Sequence, residues 1–139
     1  MTTDGHLYLN ESIKREHVSI IASKEITIDE SINVKAMVMV EDGNAILASL
    51  AASFYGNPSQ KLAMIGITGT NGKTTTYYLI KSMHETMGLK TGLLGTIAYY
   101  IHSDHELEAH STTPDVVYVQ KLMAKMVHNG TEACVMEAS

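Results

Sequence analysis

Residues 66–76 read GITGTNGKTTT, and few segments restrict the fold of a chain so sharply. The apolar run Leu62-Ala63-Met64-Ile65 before them suits a buried strand. The sequence KTTTYYLIKSMHETMG that follows the loop suits a helix. A strand, a glycine-rich turn and a helix start bring backbone N–H groups and the positive end of a helix dipole to one point, which can hold an anion. Glycine permits the tight turn and a close approach of backbone to phosphate. Lys73 stands at the loop–helix junction, within reach of terminal phosphates, and the Thr74 hydroxyl is placed to ligate Mg²⁺. The pattern G-x-x-x-x-G-K-[ST] ends correctly on Gly72-Lys73-Thr74, but it asks for glycine where Ile67 stands. The plain alternative is a strand–helix turn without a ligand. Lys-Thr at the helix start, directly after a strand, favours a nucleotide.

The flanking sequence extends this unit into an α/β pattern. Leu7 to Glu16 suits a short helix, Val18 to Ala22 a strand, Lys24 to Asn33 a loop and Val34 to Val40 a second strand. Asp42 is placed to cap a helix over about 44–55, with Ile46, Leu47, Leu50 and Phe54 at helical spacing. Gly56-Asn57-Pro58-Ser59 is a strong breaker cluster, and it sets the expected boundary between residues 1–57 and 58–139. The strand entering the loop is expected over 61–68, and the loop helix runs to about Met87, with Gly88 to stop it. Thr91 to Ala98 reads as one strand, and Tyr99 to Thr113 as a polar stretch without a period. A helix over 115–128 follows, with Val116, Val119, Leu122, Met123 and Met126 inward, and Ala133 to Met136 is a last strand. Strands alternating with helices imply a mostly parallel sheet. The first unit lacks an opening strand and the chain stops at a strand end, so it reads as part of a longer protein, its last strand lying exposed at a cut sheet edge.

With 45% hydrophobic residues the chain can build a packed core. A net charge of −5 without a basic cluster argues against nonspecific binding to nucleic acid or an anionic membrane surface. No apolar run approaches the roughly 20 residues of a membrane span. The start MTTDGHLYLNES has neither the basic nor the apolar region of a signal peptide. These features fit a cytoplasmic protein. The single cysteine, Cys134, lies in the apolar run Ala133-Cys134-Val135-Met136 and reads as a buried, inert thiol.

Three further positions invite a chemical reading. Glu137 follows an apolar strand and should emerge at the sheet edge that carries the loop, where a carboxylate can hold Mg²⁺ against phosphates. Its alternative is a solvated glutamate at a strand end. Thr112-Thr113-Pro114-Asp115 opens a helix, with Thr113 suited to the N-cap and Pro114 to the first turn. That helix start offers either an anion site or plain capping. His102, His105 and His110 lie beside Asp104, Glu106 and Glu108, but without the tight spacing of a zinc site; a solvated polar loop is the better reading.

Taken together, the segments GITGTNGKTTT at 66–76, GLLGTI at 92–97, STTPD at 111–115 and VMEAS at 135–139 resemble the Mur ligases, most closely the MurE type. DGHLYLNESI at 4–13 resembles that family's uridine-binding segment, and ASFYGNPSQKL at 52–62 its junction into the ATPase domain. The likeness implies residues 1–57 as part of a UDP-sugar-binding domain and 58–139 as part of a P-loop ATPase-type central domain. It accounts for Ile67, since loops of this family lack the first glycine. It implies that Gly69, Thr70, Asn71, Gly72, Lys73, Thr74 and Thr75 hold the phosphates of ATP, with Lys73 catalytic. It also implies that Thr74 and Glu137 bind Mg²⁺, and that Ser111, Thr112, Thr113 and Ser139 contact the UDP-sugar peptide. The implied reaction passes the γ-phosphoryl group of ATP to the D-glutamyl carboxylate of UDP-N-acetylmuramoyl dipeptide. An amino acid's amine then displaces phosphate from the acyl phosphate. The setting would be peptidoglycan synthesis, with its links to cell shape and cell division, by an enzyme monomeric at full length. Two other readings stay open: a related ligase with a different acceptor, and a nucleotide-binding module without ligase chemistry.

Overall fold

The computed structural model describes residues 18–28, 33–102, 106–108 and 115–138. The helix expected over Leu7 to Glu16 lies outside these residues. The chain divides into two compact units, Met1–Leu47 and Ala48–Ser139. In the first, strands β1 (Val18–Ala22) and β2 (Val34–Met39) pair in parallel, with a register shift between Val18 and Ser19. Ile20 and Ala22 are buried, and Ile26, Ile28 and Val34 pack on them.

Helix α1 (Gly43–Phe54) starts where Asp42 predicts. The Asp42 carboxylate accepts hydrogen bonds from the Asn44 and Ala45 amides at 2.9 and 3.1 Å. Its apolar spacing does not translate into burial. Ala51 is the buried residue of α1, while Leu47, Leu50 and Phe54 are exposed, Phe54 to 83%.

The second unit is built on a five-stranded sheet. Its strands are β3 (Ala63–Ile67), β4 (Thr91–Leu94), β5 (Ala98–Tyr100), β6 (Glu106–Glu108) and β7 (Ala133–Glu137), in the order β3-β7-β4-β5-β6. β3, β7 and β4 are parallel, and β5 and β6 continue the sheet antiparallel. Helices α2 (Lys73–Thr86) and α3 (Val116–His128) cover opposite faces. The alternation of the strands divides the core accordingly. Leu93 and Val135 pack with Tyr77 of α2, whereas Leu94 and Cys134 pack with Leu122, Met123 and Met126 of α3. Burial pushes the Cys134 thiol up to about 12, so at neutral pH it is a protonated core group rather than a nucleophile.

The three α-helices among the described residues end the same way, at a glycine in the left-handed region: Gly56, Gly88 and Gly130. After α2, the Gly88 amide donates to the Glu85 carbonyl at 3.0 Å and the Leu89 amide to the His84 carbonyl at 2.9 Å. That pair of bonds satisfies carbonyls the helix end would otherwise leave open.

Four expectations need correcting. Thr91 to Ala98 is not one strand. The chain reverses at Gly95–Ile97, and β5 returns antiparallel to β4, Leu94 opposite Tyr99. The stretch after Tyr99 is not irregular throughout, because Tyr99 and Ile101 are core residues and β6 pairs with β5. The last strand, β7, does not lie at a sheet edge but between β3 and β4. Finally, Asp115 and not Thr113 caps α3. Its carboxylate accepts from the Val117 and Tyr118 amides, each at 3.0 Å. Asp115→Ala is therefore expected to cost about 1 kcal/mol of stability, measurable by urea denaturation.

Candidate functional site

The end of β3 and the start of α2 set up the site. Gly72 precedes α2 with φ 76°, a left-handed conformation in which a side chain would be strained, and it gives the helix no side-chain cap. The amides of the first turn therefore keep their hydrogen-bonding capacity at the positive end of the helix dipole. A Cβ at Gly72 would meet nothing within 4 Å, so the space over the loop is open. Thr76 is committed to the helix, its hydroxyl and its amide both donating to the Gly72 carbonyl at 2.9 Å. Of the neighbouring residues, Thr70, Asn71 and Thr75 are exposed and Thr74 is half-buried.

Lys73 folds back over this loop. Its ammonium donates to the Gly69 carbonyl at 2.8 Å. On its other side stands Glu137, Oε1 at 3.7 Å from Lys73 Nζ. The sheet register makes this meeting possible. β7 lies beside β3 and parallel to it, so Ile67 and Glu137 are partners and both strands end at the same edge. The Ala138 amide donates to the Ile67 carbonyl at 2.9 Å and locks that end. Glu137 is 4% exposed, which sets aside the reading of it as a solvated strand-end glutamate.

A residue that sequence reasoning left without a role completes the arrangement. Thr96, in the turn between β4 and β5, donates its hydroxyl to Glu137 Oε2 at 2.7 Å and its amide to the same oxygen at 3.3 Å. The sequence signals were the segment GLLGTI at 92–97, which carries Thr96 without giving it a role, and Gly95 within an apolar run, which marks a bend or a close approach. Gly95 is in fact pressed onto Tyr77: a Cβ there would stand 2.7 Å from the ring's Cζ. The Tyr77 side chain is fully buried. Burial, with added repulsion from Tyr78 and Glu137, raises its pKa to about 12, so it stays a neutral phenol.

The candidate donors are the buried Glu137 carboxylate and, in the first turn of α2, the Thr74 hydroxyl. These are hard oxygen donors, the kind Mg²⁺ takes while keeping water and phosphate oxygens in its shell. Among the described residues no group of three or more His, Cys, Asp or Glu forms a self-sufficient metal cage. A cation held here would thus share its ligands with phosphate. Ser111, Thr112, Thr113 and Ser139 lie outside the described residues, as do His105 and His110.

Comparison with known proteins gives concordant findings. Residues 67–139 match the family described as Mur ligase middle domain. The chain is 55% identical over 134 residues, 95% of its length, to an Arabidopsis thaliana protein. That relative is named UDP-N-acetylmuramoyl-L-alanyl-D-glutamate–2,6-diaminopimelate ligase MurE homolog, chloroplastic. It is 46% identical over 138 residues, 99% of its length, to UDP-N-acetylmuramoyl-L-alanyl-D-glutamate–2,6-diaminopimelate ligase 1 of Clostridium acetobutylicum. The matches take in 17% and 28% of these two relatives, so the chain spans less than a third of either. A solved structure of a ligase of the same description matches 87% of the chain and 23% of its own, with a TM-score of 0.69 at 22% identity, which is a likeness of fold.

Proposed function

This chain belongs to the Mur ligase family, and we propose that it forms part of an ATP-dependent ligase joining an amino acid to UDP-N-acetylmuramoyl-L-alanyl-D-glutamate. The observation that carries the reading is the pairing of loop and strand end. Lys73 at the start of α2 faces a buried Glu137 at the end of the neighbouring parallel strand, 3.7 Å away. One cation and one anion side by side can serve a metal–phosphate unit, the lysine toward phosphate oxygens and the carboxylate toward the metal.

In this reading Gly69 to Thr75 cradle the phosphates with backbone amides, and Lys73 draws charge from the group in transfer. Thr74 and Glu137 would hold Mg²⁺, which when bound neutralises phosphate charge. Transfer of the γ-phosphoryl group to the D-glutamyl carboxylate brings two anions together, and these residues lower that repulsion. The amine then attacks the acyl carbon, phosphate departs and the ammonium proton is lost. No enzyme nucleophile is required. Residues 1–57 are assigned to the UDP-sugar-binding part and 58–139 to the ATP-binding part, in a cytoplasmic enzyme that is monomeric at full length. No helix among the described residues is long and apolar enough to cross a membrane.

The direct test supplies the complete protein with ATP, Mg²⁺, the UDP-sugar dipeptide and an amino acid, and looks for the tripeptide product by mass spectrometry. Both named relatives carry 2,6-diaminopimelate in their names, which makes it the first amine to offer. Nucleotide binding without product for any amine would reject this ligase reading and leave a related ligase with a different acceptor or a binding module.

The assignment of Thr112 and Thr113 to the UDP-sugar peptide has its own test. Replacing both by valine is expected to raise KM for that substrate about tenfold, the worth of one or two hydrogen bonds, and to change KM for ATP less than about twofold. Equal changes in both constants would mark the threonines as structural.

A further inference from the structure

We propose that Thr96 is a positioning residue that keeps Glu137 and Lys73 from collapsing into a closed ion pair. The inference rests on the nucleotide-site reading above and adds a part to it. The distances carry the argument. A charge-assisted N–H···O contact normally closes to about 2.7–2.9 Å. Lys73 Nζ and Glu137 Oε1 stop at 3.7 Å, although Glu137 is buried and Lys73 half-buried. What holds the carboxylate back is on its other oxygen, where Thr96 donates twice to Oε2. What holds the ammonium back is the Gly69 carbonyl at 2.8 Å. Each charge is tethered by a neutral partner, so the two stand as an open pair, each with capacity left for a ligand.

The tether is itself anchored. The Gly95–Ile97 turn is closed by the Gly95 amide on the Ala98 carbonyl at 3.3 Å. Gly95 is seated against the Tyr77 ring, at a distance that a side chain on residue 95 would not permit. Tyr77 lies one helical turn beyond Lys73 on α2. The helix that carries Lys73 thus also carries the ring that fixes the turn from which Thr96 holds Glu137. Without the Thr96 hydroxyl, Glu137 is free to turn onto Lys73. The closed pair would remove at once the anion a metal needs and the cation that phosphate needs.

The experiment is a Mg²⁺ titration of fluorescent ATP binding by the complete protein, read as anisotropy, for the wild type, Thr96→Val and Thr96→Ser. Valine keeps the β-branched shape and the backbone donor and removes the hydroxyl alone. Thr96→Val is expected to raise the Mg²⁺ midpoint about tenfold, in the range seen when outer-shell partners of metal ligands are removed. Thr96→Ser should stay within about twofold of wild type. The same Thr96→Val change in a Glu137→Gln background should have no further effect, because it acts through that carboxylate. An equal loss in both backgrounds, or a serine variant as weak as valine, would make Thr96 a turn residue only and overturn the proposal. Thermal melts of each variant, and Thr96→Ala if the valine variant does not fold, keep the comparison valid. A wild type that binds no fluorescent ATP at any Mg²⁺ concentration would instead reject the nucleotide site itself.

Discussion

Replacing Lys73 by alanine in the complete protein is expected to lower kcat about 10²–10³-fold, the scale set by removing one preorganised group from a developing charge. The fold should survive. Lys73 contributes a hydrogen bond to the Gly69 carbonyl and an open pair with Glu137, and the carboxylate keeps both donors from Thr96 after the change. Loop conformation should persist as well, since Gly72 and the α2 start are fixed by backbone rather than by the lysine side chain. Arginine is not a remedy. Its planar fork needs room on both sides, and the ammonium sits between a carbonyl and a carboxylate. The measurement is steady-state turnover beside a thermal melt. Wild-type turnover by Lys73→Ala would mean that the loop does not serve phosphate transfer, whatever its sequence suggests.

The legible parts of this site were those built from neighbours in sequence. Strand β3, the loop and α2 follow one another directly, and the glycines, the lysine and the helical spacing are all local signals. The stop at Gly88 and the buried face of α3 were local too. Placement across the sheet was not. β7 comes last in the described chain yet lies between β3 and β4, and no periodicity in Ala133 to Glu137 states which strands will flank it. The contact of Thr96 with Glu137 joins residues 41 positions apart and exists only because of that insertion.

Gly95 illustrates the limit of pattern. Its apolar surroundings gave a continuous strand, whereas the ring of Tyr77, eighteen residues earlier, requires a glycine at a bend. In α1 the spacing of Leu47, Leu50 and Phe54 announced an inward face, and the exposure of those side chains shows that amphipathic spacing alone does not name what covers it. At Asp115 two residue types competed for one cap, and the aspartate immediately before the first helical residue prevailed over the threonine two positions upstream.

Glu137→Gln is expected to raise the Mg²⁺ requirement of turnover at least about tenfold while changing stability by only about 1 kcal/mol. Glutamine keeps the volume of the buried side chain and removes the charge that a hard cation prefers. The hydrogen-bond geometry makes the outcome sharper than a simple loss of charge. Glu137 now meets donors on both sides, the Thr96 hydroxyl and amide at Oε2 and the Lys73 ammonium at Oε1. An amide has one acceptor oxygen and one donor nitrogen, so either orientation sets its NH₂ against a donor. If the oxygen stays with Thr96, the NH₂ faces Lys73 and the space proposed for the metal. If the amide flips, the Thr96 hydroxyl can turn to accept from the NH₂, but the Thr96 backbone amide loses its acceptor and the turn is loosened. Both outcomes weaken a metal site, and neither creates a cavity or unfolds the sheet. Turnover measured against Mg²⁺ at saturating ATP, for wild type and Glu137→Gln, decides the matter. A midpoint that moves while the melting temperature stays close to wild type supports the metal role. Superimposable Mg²⁺ curves would show that this buried carboxylate serves only to join β7 to the β4–β5 turn.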